Sequence, residues 1–441
     1  MTRLPAPGAA EPTVPGTAEP LVLATAAPTA PGTTDALAPG TAAPTAPGAA
    51  EPTVAGIRAA ADPILRRLGE TAAAREQSRD YAFADVRALA ATGIALTGIA
   101  REDGGAGGSV RAVADLVIAI ARADSGVAQA LRSTFLVANR VAGHVDPAHR
   151  EVNLRRLRGG DLFAGTANER TGGASGQTNA TATRSGDDWI VNGEKYYSTG
   201  GLYADWFSTQ ARTENGTVIR FTVPADRAGI DRLDDFDAVG QRLTASGTTR
   251  FTDVRVHADE VTGTEDDRPG NPWQGSFAQL YLAAVEAGVA ARALEDAVAF
   301  ARERARPIKH SSATASVEDP YVRQTVGQIA ARAQTARAVV LLSAETLDGV
   351  RAVTGDSARR AAAAAAVEVA QAGTVAVESA LAAAELLFDV GGGSITNRDL
   401  GFDRHWRNAR TVANHNPRQW KQAVAGAYHL TGAEPPTTGL F

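Results

Sequence analysis

The chain has 441 residues, a net charge of −5 and no cysteine. That length suits two or three domains with a substantial buried core, and the scattered Lys and Arg argue against a nucleic-acid partner. Without cysteine there is no disulfide, no thiolate nucleophile and no Cys-ligated metal, and no other metal site is read. The longest apolar runs, such as AAAAAAVEVA, break off well short of the roughly 18 residues a membrane span needs. The first 30 residues also lack the basic-then-apolar order of a secretory signal, so a cytoplasmic location with no membrane partner is expected.

Residues 1–55 stand apart. PGAAEPTV and TAAPTAPG each occur twice in a Pro/Ala/Gly/Thr tract with almost no large apolar side chains. Such a composition cannot offset the entropy of ordering, which predicts a disordered tail. Over 56–161 the apolar residues of AADPILRRLGETAAA and VRAVADLVIAIARADSGVAQAL recur at i, i+3, i+4 and i+7, which predicts a helical domain. Over 162–264 the period falls to two, with hairpin signals at SGDD and ENG and a further strand in TTRFTDVRV. Several short antiparallel strands in this stretch argue for a small β-barrel or sandwich. From 270 to 441 the helical period returns in long Ala-rich runs suited to a bundle, interrupted by VGGGS at Val390–Ser394. The order is helical, β, helical.

Several motifs ride on that order. GIAREDGGAGGS spans Gly98–Ser109, GTANER spans Gly165–Arg170, and WIVNGEKYYSTGG spans Trp189–Gly201. GQRLTASGTTRFTDVRV follows at Gly240–Val256, RARPI at Arg304–Ile308, and FDRHWRNARTVANHNPRQWK at Phe402–Lys421. Together they resemble the acyl-CoA dehydrogenase superfamily from about residue 57 to 436. The last three are most similar to flavin-dependent monooxygenases of the dibenzothiophene monooxygenase type.

The resemblance implies a mainly α fold with a central β-domain: an N-terminal helical domain, a small β-barrel and a C-terminal four-helix bundle, assembled as a homotetramer. It also implies a two-component oxidoreductase. A separate flavin reductase supplies reduced FMN (FAD is open), and O₂ forms a C4a-hydroperoxide that oxygenates a small organic substrate at S, N or C. A dehydrogenase needs a carboxylate base, but this chain aligns Ala413 with the usual base position and Leu282 with the alternative one. Glu286 lies one turn beyond Leu282, where a solvated helix position is expected. His415 takes the place of a group that holds or protonates the peroxide, since an imidazole can act near neutral pH.

By the same resemblance Thr199 sits beside flavin N5, and Tyr197, two residues earlier on the same strand, packs on the isoalloxazine from the same side. Asn168 holds the flavin edge, and Phe236 forms an aromatic wall. Arg306, near Arg302 and Arg304, reaches the phosphate, joined by backbone NH groups of Gly392, Gly393 and Ser394. A second flavin-facing histidine of the sulfur-oxidising relatives is absent; Thr134 and Phe135 occupy that neighbourhood. Two other readings stand beside this one: an FAD-dependent acyl-CoA dehydrogenase using Glu286, and an inactive family member that binds a partner through its repetitive tail.

Overall fold

The computed structural model describes residues 51–436 apart from 142, 144–145, 171–176, 266 and 268–271. Residues 1–50 of the tail, with all but the end of its last repeat, lie outside the described residues. Its last residues do not belong to a tail: helix α1 (Val54–Ser78) opens there, because the Thr53 hydroxyl accepts the Gly56 NH at 3.0 Å and caps the first turn.

Five more helices follow: α2 (Phe83–Ala91), α3 (Val110–Ala123), α4 (Ser125–Ala130), α5 (Arg132–Val141) and α6 (Pro147–Arg158). Helix α3 is the apolar axis of this group. Val113, Leu116, Val117 and Ile120 are all buried, and burying each such side chain stabilises by about 1.5–3 kcal/mol. Asp124 ends α3 and starts α4, its carboxylate accepting the NH groups of Gly126 and Val127 at 2.8 and 3.1 Å.

The chain then builds eight strands: β1 (Phe163–Thr166), β2 (Thr181–Ser185), β3 (Asp188–Lys195), β4 (Trp206–Thr213), β5 (Val218–Pro224), β6 (Ile230–Arg232), β7 (Thr249–Val256) and β8 (Val261–Thr264). The SGDD and ENG turns join β2 to β3 and β4 to β5, as their composition predicts. The strands form one sheet in the order β6-β7-β3-β2-β4-β5-β8, with β1 beside β4. Both β1 and β2 run parallel to β4, so the sheet is mixed rather than wholly antiparallel. Those two pairings join segments distant in sequence, which no hairpin signal announces. Phe207, Phe221, Val223, Phe251 and Val254 fill the sheet's own core.

Three long helices, α7 (Gln274–Glu303), α8 (Pro320–Arg351) and α9 (Asp356–Leu386), pack on one another, and α7 and α8 also pack on α3. Helices α10 (Asp403–Val412) and α11 (Arg418–Thr431) close against α9. Alanines 376, 380 and 383 are fully buried on α9, and such short side chains let helix axes approach closely. Helix α7 is apolar enough to meet a membrane-span test, but it is the core helix of this bundle, with 78% of its most apolar window buried.

Candidate active site

Two motifs distant in sequence meet at one turn. Strand β3 stops at Lys195, and Tyr197 adopts φ 59°, a left-handed conformation that few side chains accept. The chain reverses there, so Tyr197 and Thr199 do not share a strand face as the period of two predicts. Instead Ser198, Gly200 and Gly201 donate backbone hydrogen bonds to the carbonyls of Gly247, Thr244 and Ala245 at 3.2, 2.8 and 3.1 Å. The turn is thereby docked on the GQRLTASG segment. Gly200, at φ 84°, lies so close to the Ala130 carbonyl that a Cβ there would overlap it.

That docking fixes a chain of hydroxyls. Thr199 Oγ1 lies 2.9 Å from Ser246 Oγ, which lies 2.7 Å from Thr244 Oγ1, which donates to the Gln241 carbonyl at 2.9 Å. The Tyr197 ring is 55% exposed while standing 4.6 Å from the Tyr196 ring and 6.4 Å from that of Phe236. It therefore offers an uncovered aromatic face on a supported base. The Asn168 carbonyl accepts the Tyr196 NH at 2.8 Å, which brings the GTANER segment to the same wall. Next to it Lys195 pairs with Glu169 at 2.5 Å, both side chains almost wholly buried. Thr199, Tyr197, Phe236 and the Asn168 backbone thus lie around one turn.

The GQR segment ties this wall to the helices. The Gln241 NH donates to Asn408 Oδ1 at 2.6 Å, and Gln241 Nε2 donates to Ser125 Oγ at 3.3 Å. Gly240 lies against the Arg407 carbonyl, with no room for a Cβ. The first half of the RHWRNAR stretch is structural. Arg404 and His405 both reach Asp296 on α7, at 2.8 and 2.7 Å, and Arg407 pairs with Glu76 on α1 at 2.6 Å. Burial and the Arg404 charge push His405 down to about 4, so it is neutral at physiological pH. Burial alone would raise the Asp296 carboxyl, but the His405 hydrogen bond and the Arg404 and Arg292 charges hold it well below the usual carboxylate range.

His415 lies in the turn between α10 and α11, its Nδ1 2.8 Å from Asn416 Oδ1. Although the residue as a whole is exposed, the packing round its ring, followed by the charges of Arg132 and Lys421, pushes its pKa down to about 4. The imidazole is therefore neutral at pH 7, a hydrogen-bonding group rather than a cation. Lys421 Nζ donates to Gln279 Oε1 at 2.7 Å, and Gln279 Nε2 faces Asn416 Oδ1 at 3.4 Å.

Thr134 and Phe135, in the neighbourhood of the absent second histidine, are packing residues. Thr134 Oγ1 accepts the Phe163 NH at 2.9 Å, and Phe135 is buried 5.6 Å from the Tyr281 ring. Arg132, at the start of α5, is the polar residue of that neighbourhood, and its charge is felt by both His415 and Lys421. Arg132 also lies two residues beyond Ala130, the residue under Gly200, so the α4–α5 junction runs beside the Thr199 turn.

Glu286 is not solvated. It is 0% exposed, neither carboxyl oxygen has a hydrogen-bond partner among the described residues, and it lines a small cavity with Leu282, Ala413, Asn416 and Lys421. Burial pushes its carboxyl well above the usual range, and Arg410 only partly opposes this. The period of α7 could not reveal this, because the helix is apolar nearly all round.

A pH-dependent stability follows. The folded chain holds a proton on Glu286 that the unfolded chain releases above about pH 4.3. The group's contribution is present below that pH and is lost as pH rises toward the folded pKa, at up to about 1.4 kcal/mol per unit. Urea melts between about pH 5 and pH 8 should show Glu286→Gln losing less stability than the parent. Parallel curves would mean that the carboxyl is ionised and paired.

Arg306 and the loop residues Gly392, Gly393 and Ser394 are all exposed. Arg306 lies three residues beyond the end of α7, and the loop forms a tight turn after α9. Among the described residues no hydrogen bond or ion pair joins these four to the Thr199 wall.

Comparison with known proteins identifies the family of the fold. Residues 164–254 match the family described as acyl-CoA dehydrogenase, middle domain, and residues 280–420 match acyl-CoA dehydrogenase, C-terminal domain. The chain belongs to the acyl-CoA dehydrogenase superfamily. It is 28% identical over 393 residues to the dibenzothiophene monooxygenase of Mycolicibacterium goodii, covering 85% of this chain and 94% of that protein. The probable FMNH2-dependent monooxygenase SfnC of Pseudomonas putida is 27% identical, with 86% and 95% covered. The structure of TdsC from Paenibacillus sp. A11-2 with FMN and indole superposes with a TM-score of 0.79 at 26% identity, covering 87% of this chain and 99% of that one.

Proposed function

We propose that the chain is a flavin-dependent monooxygenase that takes reduced FMN from a separate reductase and oxygenates a small organic molecule. The single observation that carries this reading is the state of the base positions. Ala413 and Leu282 have no acid–base group, and the carboxyl beside them, Glu286, is fully buried with neither oxygen hydrogen-bonded among the described residues, an environment that raises its pKa and opposes the ionised form a base needs. The similarity to proteins named for FMN and FMNH2 supports the same cofactor here.

The residues fit such a group. Tyr197 offers an open aromatic face, Thr199 a hydroxyl held by Ser246, and Asn168 and the Tyr197–Gly201 turn a backbone edge. When bound, reduced flavin supplies the electrons that activate O₂. The chain positions the ring through Tyr197 and Phe236, holds a hydroxyl at Thr199, and presents the neutral His415 as hydrogen-bond partner to the oxygen being transferred or to the substrate. Arg306 with the Gly392–Ser394 turn provides the phosphate contacts, in a cytoplasmic homotetramer. The atom oxygenated is S, N or C of the substrate.

Replacing Thr199 or Tyr197 by Ala should weaken reduced-FMN binding by about 1–3 kcal/mol, read by anaerobic fluorescence titration. Parent-like affinity in both variants would remove the turn from the site. The function itself is tested by titrating FAD-loaded protein with butyryl-CoA under anaerobic conditions. The flavin spectrum should remain unbleached, whereas the protein should bind reduced FMN. Bleaching by the thioester would mean a dehydrogenase.

A further inference from the structure

Basic side chains with no carboxylate partner gather where the substrate would lie. Arg132 opens α5, His415 occupies the α10–α11 turn, and Lys421 sits in the first turns of α11. Neither Arg132 nor Lys421 forms an ion pair among the described residues, although Lys421 is only 7% exposed. Arg132 Nε is buried without a hydrogen-bond partner, and Nη2 makes only a long 3.4 Å contact with the Ala278 carbonyl. Arg418, on the cavity lined by Lys421, adds a third cation without an ion pair. The carboxyl of that cavity, Glu286, makes no hydrogen bond and no ion pair among the described residues, and its burial disfavours the charged form.

A buried ammonium and a buried guanidinium Nε–H without a counter-charge are costly, and a protein keeps them so when a bound group supplies the opposite charge. The surroundings orient the donors. Gln279 accepts from Lys421 at 2.7 Å, and Asn416 lies 2.8 Å from His415, so the two amides pin the ammonium and the imidazole. A guanidinium fork with a free Nε–H matches the two oxygens of a planar or pyramidal oxyanion.

We infer that Arg132 and Lys421, with His415 between α10 and α11, bind an oxyanion carried by the substrate: a small organic carboxylate, sulfinate or sulfonate. This rests on the monooxygenase reading for the identity of the site, and it adds the charge of what that site accepts. The substrate body then extends along the α4–α5 junction toward the Tyr197–Gly201 turn.

Calorimetric titration of FMN-loaded protein with benzenesulfinate and benzoate, against benzenesulfonamide and benzamide, tests the inference without turnover. The anions should bind at least about tenfold more tightly than the amides. Arg132→Met and Lys421→Met should each weaken the anions about 10- to 100-fold and leave the amides unaffected, while Lys421→Arg keeps anion binding. Circular dichroism shows whether each variant folds; if a Met variant does not, Arg132→Lys and Lys421→Arg carry the comparison through their retained anion preference. Amides binding as tightly as anions, or Met variants binding anions like the parent, would overturn it. An anion preference in a protein that butyryl-CoA bleaches would sink the monooxygenase reading and leave the oxyanion site standing.

Discussion

His415→Ala is expected to fold and to bind FMN like the parent, yet to lose substrate oxygenation by about 10²–10⁴-fold, the usual effect of removing a general acid or base. Among the described residues His415 makes no hydrogen bond to the Tyr197–Thr199 wall; its partner is Asn416, and the charges acting on it are those of Arg132 and Lys421. On the proposed reading its removal should therefore spare the Tyr197–Thr199 wall and act on oxygen transfer. Oxygen consumption should continue, with hydrogen peroxide replacing oxygenated product, as read by an oxygen electrode with a peroxide assay. Glu286→Gln should leave oxygenation nearly unchanged. The reverse pattern, an active His415→Ala beside a dead Glu286→Gln, would return the site to dehydrogenase chemistry.

Asp296→Ala carries the largest expected effect on stability. Asp296 accepts from Arg404 and His405 across α7 and α10 and pairs with Arg292 one turn away at 2.9 Å. Removing it leaves the buried Arg404 guanidinium without its counter-charge, a change that costs about 3–5 kcal/mol. Urea unfolding should show that loss with an unchanged m-value. Asp296→Asn, which keeps the shape and one acceptor, should fall between the two. Should Asp296→Ala unfold like the parent, α10 must be held chiefly by its apolar contacts and by the Arg407–Glu76 pair.

What the sequence announced was local. SGDD and ENG mark their hairpins because each turn is written in its own residues, and α3 shows its buried face through a clear 3.6-residue stripe. The YYSTG stretch reads as strand because Tyr and Thr favour strands, but tertiary docking on Thr244–Gly247 overrides that preference and holds Tyr197 at positive φ. Glu286 reads as surface because Glu usually is; only the packing of α9 and the α10–α11 turn around α7 buries it. The Asp296–Arg404 pair spans 108 residues, and the basic cluster draws single residues from α5, α10–α11 and α11, so neither leaves a local pattern. The motifs that meet at the Tyr197–Gly201 turn were legible because several of their residues sit close together in the quoted segments.

The most direct measurement of the monooxygenase assignment is stopped-flow mixing of the anaerobic complex of protein and reduced FMN with O₂, following the return of oxidised flavin absorbance. The account predicts that oxidised flavin returns in a phase well separated from, and slower than, the oxidation of free reduced FMN. His415→Ala should alter that late phase, and Thr199→Ala should shorten it. Oxidation at the rate of free flavin, unaffected by the protein or by either variant, would contradict the account.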